Sequence, residues 1–256
     1  MSDQPRNLFD LSGRVAVVTG GSRGLGRAIA MGYAAAGAAV VVASRKLDNC
    51  VAVVREIEQS GGRALPVATH VGRPEELDAL VAATIDEFGR LDIVVNNAAN
   101  PLGGLLTDVT ELAFEKSYAV NVRAPLLLAS KAVDQLAASG HGVVINMITA
   151  GAFSPGPSLG LYCSGKAALW SLTKVMAKEW AAKGVCVNAL SPGPFETDMM
   201  APTYAIPEFH ESIVASTLLN RIASPDEIVG AALYLASDAS SYVTGSVVCV
   251  DGGIMA

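Results

Sequence analysis

Cysteine is scarce in this chain of 256 residues and is not arranged for metal binding. The four cysteines are scattered and lack the close spacing of metal ligands: Cys50, Cys163, Cys186 and Cys249. This usage predicts a reduced, cytoplasmic protein without a metal site. Residues 1–5 also lack the basic and apolar segments of a secretory signal sequence.

The sequence has neither a cluster of lysine and arginine nor a long apolar run. Its net charge is −6, so neither nucleic acid nor an anionic membrane surface is expected as a partner. The uncharged stretch 28–43 is shorter than the ~20 residues that a membrane-spanning helix needs, and Gly37 interrupts it. We therefore expect a helix, a turn and a buried strand there, and no membrane segment.

Short apolar runs alternate with helical stretches along the whole chain. Such runs are typical of strands that are buried on both faces of a parallel sheet. They predict an α/β protein with a single domain over residues 1–256, in which helices cover both faces of a seven-stranded parallel sheet. The seven runs are 14–19, 38–43, 64–69, 91–95, 143–148, 185–190 and 246–250.

Two segments depart from this simple alternation. A long helix is predicted over residues 111–138, and Pro125 should bend it. Residues 198–222 have a mixed composition that includes Pro202 and Pro207. We interpret this second segment as a loop that covers the substrate.

The first predicted strand leads directly into a glycine-rich loop and then a helix. Glycines allow backbone N–H groups to approach a pyrophosphate, and the helix N-terminus attracts its negative charge. The loop therefore predicts a dinucleotide-binding site. Its candidate binding residues are Gly20, Ser22, Arg23, Gly24, Leu25 and Gly26.

The end of the second predicted strand indicates which dinucleotide binds. An acidic residue there would accept a hydrogen bond from the 2′-hydroxyl group of NAD, but this chain has Ser44, Arg45 and Lys46. Arg45, together with Arg23 in the glycine loop, could pair with a 2′-phosphate group. We therefore predict NADP(H) as the cofactor in preference to NAD(H).

Tyr162 and Lys166 are four residues apart in a predicted helix, so their side chains should lie on one face. A neighbouring ammonium group favours the phenolate and lowers the pKa of a tyrosine. The pair could therefore act as a proton donor and acceptor. The spacing alone is also common on solvent-exposed helix faces.

The motifs occur in a fixed order that resembles the short-chain dehydrogenase/reductase family. They are Thr19-Gly20-x3-Gly24-x-Gly26, Asn96-Asn97-Ala98-Ala99, Asn121, Tyr162-x3-Lys166 and Pro192-Gly193. The resemblance covers essentially the whole chain, through Asp251-Gly252-Gly253. It implies a single Rossmann domain, a nicotinamide cofactor and a homotetramer.

The resemblance also implies roles for four catalytic residues. Tyr162 would exchange a proton with the substrate oxygen, and Lys166 would lower the pKa of Tyr162 and hold the nicotinamide ribose. Asn121 would support a proton relay by bending its helix. Thr149, thirteen residues before the tyrosine, stands where the family most often has a serine that polarises the substrate oxygen. Nearby polar alternatives are Asn146, Ser154 and Ser158.

Further cofactor contacts follow from the same resemblance. Pro192 and Gly193 would form the turn that seats the nicotinamide, next to backbone contacts from Phe195 and the hydroxyl group of Thr197. The remaining expected contacts are Asn97, Ala98, His70 and Val71. His70 replaces the usual aspartate that binds adenine, so it could either make a hydrogen bond there or be an inert surface residue.

These patterns predict an NADP(H)-dependent oxidoreductase that interconverts a small-molecule carbonyl compound and a secondary alcohol. A 3-oxoacyl-thioester reductase and a sugar or polyol dehydrogenase are alternatives within the same reaction class. A non-catalytic module that senses NADP is an alternative of another class. The absence of clustered arginine and lysine in segment 198–222 favours a neutral or apolar carbonyl substrate.

Overall fold

A computed structural model describes residues 7–256. Residues 1–6, which include the whole segment 1–5 considered for a signal sequence, lie outside the described residues. The described chain forms one parallel sheet of seven strands, as predicted. The strand order across the sheet is β3-β2-β1-β4-β5-β6-β7. The strands are β1 (Val15–Thr19), β2 (Ala39–Ser44), β3 (Arg63–Ala68), β4 (Ile93–Asn96), β5 (Val143–Met147), β6 (Cys186–Pro192) and β7 (Val247–Val250).

Helices cover both faces of this sheet because successive residues of each strand point to opposite sides. In β1, Val17 and Val18 are both fully buried, and each belongs to a different hydrophobic cluster. Val18 packs in the cluster that includes Ile29 of α1 (Gly24–Ala35), whereas Val17 packs with Leu128 of a helix on the other face. This double burial explains why β1 is apolar at successive positions rather than at alternate ones.

Three further helices lie between the strands, and one of them has clear end signals. They are α2 (Leu47–Gln59), α3 (Pro74–Phe88) and α6 (Gly160–Trp180). Helix α3 has Pro74 in its first turn and ends at Gly89, whose φ of 71° is in the left-handed region. Helix α6 carries the tyrosine and lysine of the expected catalytic pair.

The helix predicted over residues 111–138 is interrupted by a π-helical turn. Helix α4 spans Glu111–Tyr118, the π turn spans Ala119–Arg123, and α5 spans Ala124–Ser139. Pro125 lies in the first turn of α5 rather than at the centre of a bend. Because proline has no N–H group, it is well accommodated there and helps to start the new helix.

Segment 198–222 was predicted to be a loop, but the structure shows two short helices in it. Helix α7 spans Ala201–Tyr204 and α8 spans Pro207–Ala215. Pro202 and Pro207 each lie in the first turn of one of these helices, so both prolines are helix starters here. The last helix, α9 (Val229–Ala236), follows a 3-10 turn that begins with a capping box formed by Ser224 and Glu227.

The sheet places a crevice where the strand order changes direction. Strands β2 and β4 flank β1, so the connections after β1 and β4 leave the sheet on opposite sides. In parallel α/β sheets, ligands bind at such a position, outside the carboxyl ends of the strands. Within residues 7–256, none of the helices combines the length and apolarity needed to cross a membrane.

Candidate active site

The carboxyl ends of β1 and β4 are joined by side-chain and backbone hydrogen bonds. Thr19 Oγ1 donates to the carbonyl oxygen of Val95 at 3.1 Å and accepts from the N–H groups of Asn97 and Ala98 at 3.0 and 3.1 Å. Asn97 Nδ2 donates to the carbonyl oxygen of Thr19 at 2.9 Å. These bonds place Asn97 and Ala98 directly beside the glycine loop.

Two glycines of this loop are required by its geometry. Gly20 has a φ of 66°, in the left-handed region that glycine adopts without steric strain. A β-carbon on Gly26 would lie 2.3 Å from Asn97 Nδ2 and 2.4 Å from the carbonyl oxygen of Gly20, closer than any real contact. Gly26 therefore allows helix α1 to pack tightly against the loop.

The N-terminus of α1 is open to an anion. Arg23 is its N-cap residue, has an extended backbone, and makes no side-chain capping bond. Thr197 lies against this end of the helix, because a β-carbon on Gly24 would be 3.4 Å from its methyl group. The loop residues Ser22, Arg23, Gly24 and Leu25 thus surround a helix terminus of the kind that binds phosphate groups.

Two arginines near this terminus have side chains that are available to a ligand. Arg23 and Arg45 are exposed, and neither forms an ion pair with any residue from 7 to 256. By contrast, Arg27 of α1 pairs with Glu56 of α2. Ser44 at the end of β2 lies 3.1 Å from the Sγ atom of Cys50.

His70 follows β3 and takes part in a turn that fixes its ring. Its Nδ1 atom accepts a hydrogen bond from the N–H group of Gly72 at 3.2 Å, and its own N–H donates to Glu76 at 2.5 Å. The neutral ring therefore carries its proton on Nε2 and can only donate from that atom. Val71 lines a small cavity together with Thr19 and Ala98, so it lies beside the glycine-loop edge of the sheet.

Asn121 is fully buried in the π turn. Its Oδ1 atom accepts from the N–H group of Asn100 at 3.0 Å, and its Nδ2 atom donates to the carbonyl oxygen of Asn100 at 2.8 Å and to Ser117 Oγ at 3.1 Å. A β-carbon on Gly165 would touch Asn121 Cβ at 3.5 Å. Asn121 therefore packs against the part of α6 that carries Tyr162 and Lys166.

Lys166 is 1% exposed, and its Nζ atom donates to the carbonyl oxygen of Met147 at 2.7 Å. Met147 is the last residue of β5, so this bond ties α6 to the sheet edge. The same Nζ atom lies 5.7 Å from the centre of the Tyr162 ring. The expected proximity of the two side chains is thus present.

The charge states of the pair differ from the sequence-based expectation. Burial lowers the pKa of Lys166 to about 8 and raises the pKa of Tyr162 above its ordinary value, because both charged forms lose hydration. The predicted lowering of the Tyr162 pKa by Lys166 is therefore not observed in this structure. At neutral pH the phenol is protonated.

Thr149 lies two residues after the end of β5 and caps a short 3-10 turn. Its hydroxyl oxygen accepts from the N–H group of Gly151 at 3.4 Å. Ser154 and Ser158 are exposed farther along this loop, and Asn146 is fully committed to a buried network. Thr149 therefore has the hydroxyl group nearest to the sheet edge among these candidates.

A buried amide network beneath the site was not anticipated. Asn96 Nδ2 donates to Asn146 Oδ1 at 2.9 Å, and Asn146 Nδ2 donates to Thr173 Oγ1 at 2.9 Å. Asn96 Nδ2 also reaches the carbonyl oxygen of Pro125 at 3.2 Å. The signal in the sequence is an asparagine in each of two otherwise apolar strands. The network connects β4, β5, α5 and α6.

The turn after β6 is held by the C-terminal segment. A β-carbon on Gly193 would lie 2.6 Å from Cα of Asp251, so glycine is required after Pro192. Phe195 is 3% exposed, with its side chain in the core, and its carbonyl oxygen accepts from the hydroxyl group of Tyr204 at 3.2 Å. The side chain of Phe195 is therefore not available to a ligand.

An open cleft of about 780 Å³ lies between the N-terminal part of α1 and the segment that includes α7. Residues from both sides line it, among them Gly24, Arg27, Glu196, Thr197, Tyr204 and Asp226. The cleft adjoins the anion-accepting helix end rather than Tyr162. In the part of the chain that the structure covers, no group of three or more His, Cys, Asp or Glu residues could hold a metal ion.

The chain resembles characterised dehydrogenases over nearly its whole length. A family model described as "Enoyl-(Acyl carrier protein) reductase" matches residues 20–255. The human protein "Dehydrogenase/reductase SDR family member 4" is 37% identical over 244 residues, which cover 95% of this chain and 88% of that protein.

Solved structures show the same relationship. A gluconate 5-dehydrogenase from Burkholderia cenocepacia J2315, in complex with NADP and tartrate, has a TM-score of 0.93 and 31% identity, covering 97% of this chain and 98% of that one. A 3-oxoacyl (acyl-carrier-protein) reductase from Agrobacterium tumefaciens C58 with NADP bound has a TM-score of 0.92 and 32% identity, covering 98% of each chain.

Proposed function

The chain belongs to the short-chain dehydrogenase/reductase family, and we propose that it is an NADP(H)-dependent enzyme that interconverts a carbonyl compound and a secondary alcohol. The observation that carries this proposal is the Tyr162–Lys166 pair, with Lys166 buried and bound to the carbonyl oxygen of Met147 at the sheet edge. Burying a lysine costs free energy unless its ammonium group has a partner or a function. Here the hydrogen bond to Met147 holds the ammonium group near the ring of Tyr162.

The residues at the glycine loop fit a phosphorylated dinucleotide. The uncapped end of α1 suits a pyrophosphate, and the unpaired side chains of Arg23 and Arg45 suit a 2′-phosphate group. Asn97, Ala98, Val71 and His70 border the adenosine side. The backbone of Phe195, next to Pro192 and Gly193, and the hydroxyl group of Thr197 serve the nicotinamide side. When bound, the cofactor supplies or accepts a hydride.

The protein residues position the substrate and handle the proton. Tyr162 is protonated at neutral pH, so its phenol donates a proton to the carbonyl oxygen during reduction and takes it back during oxidation. Lys166 is charged below pH 8 and stabilises the phenolate that reduction leaves behind. Thr149 donates a hydrogen bond that orients the carbonyl group of the substrate. Asn121 stabilises the π turn and supports a proton relay.

A Tyr162→Phe substitution tests the proposal. We expect the variant to keep its affinity for NADPH, measured by quenching of intrinsic fluorescence, and to lose about a hundredfold or more in turnover. Tyr118→Phe is a matched control, because the Tyr118 hydroxyl group contacts Ser164 of the same helix at 3.0 Å. Near-normal turnover by Tyr162→Phe would contradict the mechanism.

Two narrower activities have support from individual relatives. The 3-oxoacyl (acyl-carrier-protein) reductase favours a 3-oxoacyl-thioester substrate, and the gluconate 5-dehydrogenase favours a sugar or polyol. A screen of NADPH oxidation with simple ketones, diketones and acetoacetyl thioesters, and of NADP reduction with gluconate and polyols, separates these activities. A module that only senses NADP would bind the cofactor and turn over none of them, but it would have no need for Tyr162 and Lys166.

Three further properties complete the proposal. Segment 198–222, with α7 and α8, covers the substrate. The protein assembles as a homotetramer, which light scattering can test. It works in the cytoplasm, where its four cysteines, all free in the structure, stay reduced.

A further inference from the structure

The loops around the expected substrate site are poor in positive charge. Three loops follow the carboxyl ends of β4, β5 and β6, at residues 97–110, 148–159 and 193–222. Together they contain a single lysine or arginine, which is Arg221. The same loops contain the acidic residues Glu196 and Asp198, both next to the nicotinamide turn. An anionic substrate would therefore meet a local excess of negative charge.

Arg221 is not available to balance that charge. Its two terminal nitrogens donate to the two carboxylate oxygens of Glu227, at 2.7 and 2.6 Å. Glu227 is in turn fixed by the N–H group of Ser224 at 2.8 Å, within the capping box that precedes α9. The paired arginine lowers the pKa of Glu227 to about 2, so this ion pair persists over the whole physiological pH range. Lys166 is 1% exposed, so its ammonium group is not presented at the surface of these loops.

An apolar rim lies at the N-terminus of α6, the helix that carries Tyr162. We define this rim as Leu106 and Leu159, whose side chains are 70% and 44% exposed. Leu106 lies over Gly160, because a β-carbon on Gly160 would be 3.0 Å from the Cδ2 atom of Leu106. The two loops that carry them are joined by a hydrogen bond of 2.7 Å from the N–H group of Gly104 to the carbonyl oxygen of Ser158. Leu159 immediately precedes α6 and is three residues before Tyr162. Exposed apolar side chains grouped at a site commonly mark a binding surface.

We infer that the substrate is an uncharged, apolar ketone or aldehyde whose hydrocarbon part rests on the apolar rim, and that carboxylate-bearing carbonyl compounds are disfavoured. This inference rests on the proposed oxidoreductase function and narrows its substrate class. The rim supplies hydrophobic burial, since apolar surface removed from water contributes about 25 cal/mol per Å². The loops have no unpaired lysine or arginine that could compensate an anionic substrate for the hydration it loses on binding.

A matched pair of aromatic ketones tests the inference with NADPH and the whole protein. Methyl 4-acetylbenzoate and 4-acetylbenzoate share the reacting ketone and differ in one negative charge and one methyl group. We expect the value of kcat/KM for the ester to exceed that for the acid by at least about tenfold. Equal or higher values for the acid would overturn the inference while leaving the oxidoreductase function intact. If a broad panel of neutral and charged carbonyl compounds gave no NADPH oxidation, the proposed function itself would fail.

Substitutions at Leu159 separate charge from hydrophobicity. Leu159→Arg places a free cation on the rim and should raise the kcat/KM for the acid relative to the ester. Leu159→Gln, with a similar length and no charge, should reduce the value for the ester and leave the acid unimproved. Equal effects of both variants on both ketones would contradict the charge argument.

A second copy of the chain could instead cover the apolar rim. In that case Leu106→Gln and Leu159→Gln would change the molecular mass measured by light scattering and leave the KM for the ester unchanged. That result would overturn the inference. An unchanged mass with a raised KM for the ester supports it.

Discussion

Lys166 and Met147 are joined by a hydrogen bond of 2.7 Å between the Nζ atom of the lysine and the backbone carbonyl oxygen at the end of β5. This bond fixes the lysine without any carboxylate partner, so the ammonium charge is available to the neighbouring phenol. The arrangement has a cost, because the ammonium group is buried without a compensating negative charge. The catalytic pair is therefore expected to lower the stability of the fold at neutral pH.

Lys166→Met should reveal this cost through its pH dependence. The folded-state pKa of Lys166 is about 8 and the unfolded value is about 10.5, so the unfolded chain binds one more proton between these values. The penalty is fully present below pH 8 and is relieved as the pH rises. From pH 6.5 to 9.5 the wild type should gain about 2 kcal/mol in the free energy of unfolding relative to the variant.

Urea unfolding of both proteins at the two pH values provides the measurement. Lys166→Met should also lose turnover at every pH. A stability difference that stays constant with pH would show that the lysine is not desolvated in the folded state.

Arg45→Ala should weaken binding of NADPH while leaving that of NADH unchanged. The arginine is exposed and has no ionic partner among the described residues, so its loss removes a charge-assisted contact to a 2′-phosphate group and little else. We expect the KM for NADPH to rise about tenfold. Arg55→Ala on α2, another exposed arginine, is the control and should change neither value. A higher efficiency of the wild type with NADH than with NADPH would refute the cofactor assignment.

Gly26→Ala should destabilise the protein by at least about 2 kcal/mol, since its β-carbon would overlap Asn97 Nδ2 and the carbonyl oxygen of Gly20. Gly230→Ala in α9 is the matched control, because no atom lies within 4 Å of a β-carbon there. The control should instead raise stability, by up to about 1 kcal/mol. Thermal unfolding distinguishes the two outcomes. Similar melting temperatures for the two variants would mean that the loop relaxes around the extra methyl group.

Asn146→Ala should cost about 2–4 kcal/mol of stability, because it leaves Asn96 and Thr173 without their shared partner in the core. Since Asn146 directly precedes Met147, we also expect kcat to fall while the KM for NADPH is unchanged. Asn49→Ala on the exposed face of α2 is the control and should be neutral within about 0.5 kcal/mol. Urea unfolding and steady-state kinetics provide both measurements. A stability loss without a change in kcat would limit Asn146 to a structural role.

The sequence was sufficient to predict the sheet because its central strands are buried on both faces and hence apolar at successive positions, as at residues 39–43. It also predicted that Tyr162 and Lys166 share a helix face, since a spacing of four residues fixes this. These features depend on local pattern or on a resemblance over the whole chain.

Other features depend on contacts between distant residues and were missed. The acceptor for Lys166 is a backbone carbonyl oxygen nineteen residues away, and any residue type could provide it. The direction of the Tyr162 pKa change depends on burial, which the loops around the tyrosine determine jointly. The helices in segment 198–222 were missed because Pro202 and Pro207 were interpreted as signs of irregular structure, although both start helices.

The π turn at residues 119–123 amounts to one residue more than a continuous α-helix would need over the same span. A deletion of one residue there would permit an unbroken helix and would turn α4 by about 100° relative to α5. That rotation would take Ser117 away from Asn121 and would turn other residues of α4 toward α6. The extra residue is therefore an insertion that the fold tolerates at some loss of helical regularity. Any redesign of this fold should keep the same number of residues in the π turn.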